Sequence, residues 1–230
     1  MNRQKTEKRY LLAIKALLKF VFAIVVVAVP LFSSAGTWNY TEAWIFITLL
    51  FVPMFILGIV MLLLFPELLV SRLTIKENSK VQKIVVALSG AISLMVFVVA
   101  GFDYRYSLTS ISVNLEMISS VIYLLSYILY AETVRENQWR SRTIKVFEEQ
   151  KVISDGLYRV VRHPMYFSTL LMFLSIPLIL ASWLSFTISL LYIPILVVRI
   201  IYEERFLRQN LNGYTQYCEQ VRWRIIPFVW

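Results

Sequence analysis

Met165-Tyr-Phe-Ser-Thr-Leu-Leu-Met-Phe-Leu-Ser-Ile-Pro-Leu-Ile-Leu-Ala181 is an apolar run that only Ser182-Trp183 separates from a second one, Leu184 to Tyr202. As a helix the first run is about 26 Å long, a little short of the ~30 Å hydrocarbon core of a bilayer. Two such runs with so short a connection predict a tight helical hairpin in a membrane, one that need not meet the far surface squarely. Working outward, four more runs of spanning length precede it, at Leu11 to Phe32, Ala43 to Phe65, Ile84 to Phe102 and Val113 to Thr133. The expected fold class is therefore an all-α integral membrane protein with six transmembrane helices. Composition agrees: of 230 residues 59% are hydrophobic and only 16% charged, where an ordinary globular chain carries roughly a quarter.

The placement of charge gives the expected orientation. Arg3, Lys5, Lys8 and Arg9 precede the first run, and Arg72, Lys76, Lys80 and Lys83 fill the second gap. Arg135, Arg140, Arg142, Lys145, Lys151, Arg159 and Arg162 fill the fourth gap, and Arg205, Arg208, Arg222 and Arg224 follow the last run. Arg105 alone lies in the odd-numbered gaps, so the positive-inside rule predicts that both termini are cytoplasmic. The net charge of +9 is thus read as topology and as adhesion to anionic headgroups rather than as a nucleic-acid surface. Ser33-x-Ala35 resembles a signal-peptidase site, which leaves cleavage of the first segment open, although Lys15 and Lys19 make an unusual lead-in.

Simple counts exclude whole chemistries. One cysteine, Cys218, forbids an intramolecular disulfide, and one histidine, His163, puts a Cys/His zinc cluster out of reach, so no metal site is expected. The six glycines are too scattered for a dinucleotide fingerprint or a phosphate-binding loop. Cys218 has no base near it in sequence and reads as a small buried residue.

Polar chemistry gathers after residue 150. The segment from Gln150 to Tyr166 holds a glycine turn, Tyr158, Arg159, Arg162, His163 and Pro164 immediately before a span. Proline suits the first turn of a helix, whose amides could receive an anion; equally, these residues could be interfacial anchors. Arg199 lies inside the last run, where a charge costs roughly 2.5 to 3.5 kcal/mol at the centre and so faces protein or water. Glu203, four residues on, shares its helix face, as a structural ion pair or as a site. Glu204 lies about 100° round and lines up with Arg208, the pattern of an exposed helix pair. The tail from Gly213 to Trp230 is aromatic and basic, and is expected to lie in the interface over the mouth of the hairpin.

Together Gly156-Leu-Tyr158, Arg162-His-Pro-Met-Tyr166, Glu203-Glu204-x-x-Leu207, Tyr214-x-x-Tyr217 and Arg224-Ile-Ile-Pro227 resemble the isoprenylcysteine carboxyl methyltransferase family and its phospholipid methyltransferase relatives. The resemblance covers about the last 80 residues; Leu157, where the family usually has proline, and Ser168, often glycine, depart from it. It implies an integral-membrane enzyme with residues 1–134 as a four-helix front part and 135–230 as the catalytic part of one domain. It also implies S-adenosylmethionine as cofactor, held by Gln150, Lys151, Val152, Ile153, Tyr158, His163, Pro164, Met165, Tyr166 and Glu203. Arg199 would meet the substrate, and Arg199 and Glu203 would carry catalysis. The implied acceptor is a hydrophobic or prenylated molecule, with a carboxylate favoured over a phospholipid amine or a small thiol.

Two other readings compete. The tail also resembles the end of membrane sterol and enone reductases that use NADPH, but those typically show Arg-His-x-Asn-Tyr and an Arg-Asp pair, where this chain has Arg162-His-Pro-Met-Tyr166 and Glu203-Glu204. A transporter or scaffold predicts ionisable residues along a central pathway, whereas here they collect at one edge.

Overall fold

The structure is a computed structural model that describes residues 2–73, 80–137 and 151–230. Among these residues it is entirely helical: α1 (Asn2–Ala35), α2 (Thr41–Leu64), α3 (Pro66–Leu73), α4 (Lys80–Tyr106), α5 (Val113–Glu136), a 3₁₀ turn (Gly156–Arg159), α6 (Pro164–Ile179), α7 (Trp183–Ser189), α8 (Tyr192–Asn210) and α9 (Tyr214–Gln220). Among the described residues, five stretches are long and apolar enough to cross a membrane: Arg9–Ala35, Thr41–Leu64, Val81–Tyr106, Val113–Glu136 and Trp183–Asn210.

The fifth run of the sequence, Met165–Ala181, expected as one of six spans, becomes α6 with 16 residues, or about 24 Å, below the length of the other five. The last span is interrupted by a turn at Leu190–Leu191, although both residues keep right-handed helical dihedrals. Pro194 has no N–H for the carbonyl of Leu190, which accepts from the Ile193 amide at 3.1 Å instead, so the hydrogen-bond ladder tightens at Leu190–Leu191 between α7 and α8.

Much apolar surface stays uncovered because its solvent is lipid. Phe22 is 68% exposed, while the inward stripe of the same helix, Val27, Leu31, Phe32 and Ala35, is buried against α4. Gly101 makes that contact possible: a Cβ there would stand 1.9 Å from Ser34 Oγ and 2.6 Å from the Leu31 carbonyl. Small residues let two backbones approach in this way in membranes, where packing rather than hydrophobic exclusion drives association. Tyr40, Phe46, Phe97 and Tyr123 complete the core, to which α6 contributes through Ile179.

At one end of the bundle the turn from α6 to α7 is fastened by polar groups. Ala181 adopts a left-handed φ of +56°, and the Tyr40 hydroxyl donates to the Leu180 carbonyl at 2.5 Å. Asp103, buried at the end of α4, accepts from the Ser182 hydroxyl at 2.5 Å and from the Thr109 amide at 2.7 Å. Ser182 Oγ in turn caps α7 by accepting from the Ser185 amide. With its C-terminus tied down here, α6 delivers its N-terminus to the opposite end, where the polar residues of α8 and the tail collect.

Candidate functional site

Helix α8 changes character along its length. Tyr192, Leu196 and Ile200 form its buried stripe, and one turn later the same region presents Glu203 and Glu204. Tyr166, in the first turn of α6, packs on that stripe with Leu170 and Ile225. Its hydroxyl donates to Glu203 Oε2 and accepts from Arg199 Nε at 2.8 Å. The Arg199 guanidinium carbon also lies 5.6 Å from the centre of the Tyr166 ring, within cation–π range. Arg199 and Glu203, expected to meet along one helix face, thus meet through a third residue, 33 and 37 positions away. Both are half-buried.

Glu204 departs from the expectation. It is not an exposed partner of Arg208; it is 4% exposed and accepts from three groups. Its Oε1 receives Arg162 Nε at 2.7 Å and lies 3.3 Å from His163 Nε2, and its Oε2 receives Arg224 Nε at 3.0 Å. A carboxylate so deeply buried is tolerable only when its charge is matched and its lone pairs are used. Arg162 is likewise buried. Burial works against its charge, but the hydrogen bond and charge of Glu204 outweigh that and hold its pKa above the ordinary value.

His163 and Pro164 are buried and Met165 is half-buried at the head of α6. The His163 ring stacks on Tyr166, centroids 5.5 Å apart. The amides of Tyr166 and Phe167 both return to the His163 carbonyl, at 3.0 and 3.2 Å. The helix start is therefore closed on itself at these two amides, which weakens the expectation that an anion docks there.

Of the segment before α6, Gln150 lies outside the described residues and Lys151 is exposed. Val152 and Ile153 pack on a second cluster built from Tyr158, Leu211, Tyr214, Tyr217, Cys218 and Val221. Gly156 has φ +58° and faces the end of α5, where a Cβ would stand 1.8 Å from Glu136 Oε1. That carboxylate accepts from the Leu157 amide at 2.9 and 3.2 Å, so the departure from the usual proline at 157 leaves an N–H that α5 uses. Tyr158 is then held by Asn137 Nδ2 on its hydroxyl at 3.3 Å and by the Tyr217 hydroxyl on its carbonyl at 2.7 Å.

Burial pushes the Tyr214 and Tyr217 phenols well up, so both stay neutral, and pushes the Cys218 thiol up as well. Cys218 is thus a packed thiol rather than a ready nucleophile.

The structure therefore brings His163, Pro164, Met165, Tyr166, Arg199 and Glu203 together around one polar chain. Val152, Ile153 and Tyr158 sit in the adjoining cluster, and Arg162 joins the two by donating Nη1 to the carbonyls of Val221 and Arg222 at 2.7 and 2.8 Å. Sequence reasoning passed over Glu204 as a site residue and over Glu136 altogether, and it read Arg224 only as part of the basic tail and of the Arg224-Ile-Ile-Pro227 motif. Their partners are 20 to 42 positions distant and leave no local spacing; the available signal was that Glu204 is a second carboxylate at the end of an apolar helix, with a cationic tail to follow.

Residues 115–212, from α5 to the end of α8, match the family model described as phospholipid methyltransferase, which indicates a membrane methyltransferase. No curated protein matches the chain. The matched stretch contains Tyr158, Arg162, His163, Tyr166, Arg199, Glu203 and Glu204, and ends before the tail that supplies Arg224.

Proposed function

We propose that this protein is an S-adenosylmethionine-dependent methyltransferase whose acceptor is lipidic or lipid-anchored, with a carboxylate oxygen as the preferred methyl-accepting atom. The observation that carries the reading is the Arg199–Tyr166–Glu203 chain inside the matched segment, half-buried at the end of an apolar helix. The excess of Lys and Arg in the even-numbered gaps supports a cytoplasmic position for this end.

The residues fit such a cofactor by their chemistry. Glu203 offers a carboxylate to an amino acid sulfonium that carries an ammonium and a sulfonium centre, while Tyr158, Val152 and Ile153 offer aromatic and apolar surface to a nucleoside. When bound, the cofactor supplies an electrophilic methyl group for an in-line displacement. The chain then has to align and desolvate, and needs no base if the acceptor is a carboxylate, already ionised at pH 7. Arg199 suits the task of holding that carboxylate, because a guanidinium meets it with two parallel donors and aims the remaining lone pairs. The Tyr166 hydroxyl fixes the guanidinium against α6. A phospholipid amine is the second reading, favoured by the description of the matched family; it would need a proton removed, and Glu203 is the carboxylate placed for that.

Titration of the detergent-purified protein with S-adenosylmethionine and with NADPH tests the class. Binding of S-adenosylmethionine alone is expected, and binding of NADPH alone would replace this reading by a reductase. A screen of lipidic acceptors with methyl-labelled cofactor then separates the acceptors: a base-labile methyl ester marks a carboxylate, and a base-stable product an amine or thiol.

A further inference from the structure

Glu204 joins two segments that lie far apart in the chain. Arg162 and His163 come from the loop that enters α6, and Arg224 comes from the tail. The same segments are zipped by their backbones: the Arg162 amide donates to the Trp223 carbonyl at 2.9 Å and the His163 amide to the Arg224 carbonyl at 2.8 Å. Beyond that point the tail folds back, with the amides of Arg224 and Ile225 on the Trp230 carbonyl at 2.8 and 3.0 Å. The Arg224 guanidinium covers the Trp230 ring at 4.9 Å, and Trp230 packs on the cluster that contains Tyr166. From Glu204, therefore, one arm runs through the His163 ring to Tyr166 and the other runs through Arg224 and Trp230 to the apolar cluster in which Tyr166 sits.

Glu204 is 4% exposed and both of its oxygens are taken by protein partners. We propose that Glu204 is a positioning residue that docks the segment 221–230 as the roof of the site and so sets Tyr166 between Arg199 and Glu203; the roof's role in cofactor capture rests on the methyltransferase reading above. A carboxylate is required because Arg162 is buried: an amide in its place leaves a guanidinium without a counter-charge and releases the ionic hold on Arg224. Glu203 and Glu204, adjacent in sequence, thus divide the work, one facing the site and the other holding its cover.

The test uses the full chain in lipid nanodiscs and two readouts. The first needs no cofactor: Cys218, the one cysteine of the chain, is packed under Val221 and reports on docking by its rate of alkylation with N-ethylmaleimide at fixed pH. The second is the split between KM for S-adenosylmethionine and kcat. Loss of one charge-assisted hydrogen bond corresponds to about tenfold. Arg224→Ala is expected to raise the alkylation rate and the KM about tenfold each, with kcat within about threefold, and Arg224→Lys to restore both. Glu204→Gln is expected to move both further in the same direction. If Glu204→Gln does not fold, the Arg224 pair decides, since that side chain is 31% exposed and its loss is tolerable.

An alkylation rate unchanged in Arg224→Ala overturns the docking role, as does a fall confined to kcat. If the parent protein binds no S-adenosylmethionine, the methyltransferase reading and the cofactor-capture part of the proposal fail together, while the alkylation readout still decides whether Glu204 docks the tail.

Discussion

Arg199 directs its Nε at the hydroxyl of Tyr166, 2.8 Å away, so the guanidinium that leaves α8 is steadied by a ring rooted in the first turn of α6. Tyr166→Phe removes that hydroxyl and keeps the ring, its stack on His163 and its apolar packing. A hydrogen bond to a charged group contributes about 1.5–3 kcal/mol, so kcat/KM is expected to fall by roughly 10- to 100-fold. Steady-state methyl transfer measures this, and an unchanged kcat/KM would remove the Tyr166 hydroxyl from the mechanism.

Arg199 and Glu203 are expected to separate substrate from cofactor. Arg199→Ala should abolish turnover while leaving S-adenosylmethionine affinity within about threefold, and Arg199→Lys should not rescue it, because an ammonium lacks the planar fork. Glu203→Ala should weaken cofactor binding about tenfold or more, as one charge-assisted contact is worth that much. Calorimetric titration beside turnover checks both, and full activity in the two alanine variants would refute the site.

Gly156→Ala tests the turn that carries Tyr158. At φ +58° any side chain is strained, and this Cβ would also displace the Glu136 carboxylate that holds Leu157. A loss of about 1–3 kcal/mol is expected, seen as a lower thermal midpoint together with weaker cofactor binding.

Cys218 gives a prediction in pH. Because burial raises its thiol pKa, less thiolate is present at pH 7 than for a free cysteine, and alkylation is slowed further by packing. The rate at pH 7 is expected to be well below that of a free thiol, to climb as pH passes 9, and to reach the free-thiol rate once the chain is unfolded in detergent. A free-thiol rate at pH 7 in the folded protein would contradict the packing described.

Tyr40→Phe probes the end remote from the site. Its hydroxyl is buried on the Leu180 carbonyl, and interhelical hydrogen bonds in membranes contribute about 0.6 to 1.7 kcal/mol. The thermal midpoint is expected to drop by a few degrees while KM for S-adenosylmethionine stays unchanged, and a shift in KM would show that the two ends are coupled.

How far the sequence could be read depends on the range of each interaction. The helices were legible because an apolar run states its own environment, but the interruption at Leu190–Leu191 was missed, since run length takes no account of Pro194. Arg199 was conspicuous for the same reason, as a charge where charge is costly. Glu204 was not, because a carboxylate four residues before Arg208 has the local signature of a solvated pair. Whether it is solvated is decided by Arg162 and Arg224, which the fold brings from 42 positions before it and 20 after it. Tyr166 as the link between Arg199 and Glu203 was hidden likewise, since helical periodicity describes one helix and says nothing of the neighbour that slots between two of its residues.

Because the tail supplies Val221, Arg222, Trp223 and Arg224 to partners in the loop before α6, a boundary drawn at residue 212, where the family match stops, cuts through the site. The piece that comparison detects is smaller than the piece that closes. An expression fragment trimmed to the detected piece would keep every residue of the Arg199–Tyr166–Glu203 chain and yet leave Arg162 with two carbonyls missing and Glu204 with one oxygen bare. Designers who graft or shorten this matched segment should therefore treat residues 213–230 as part of the cassette.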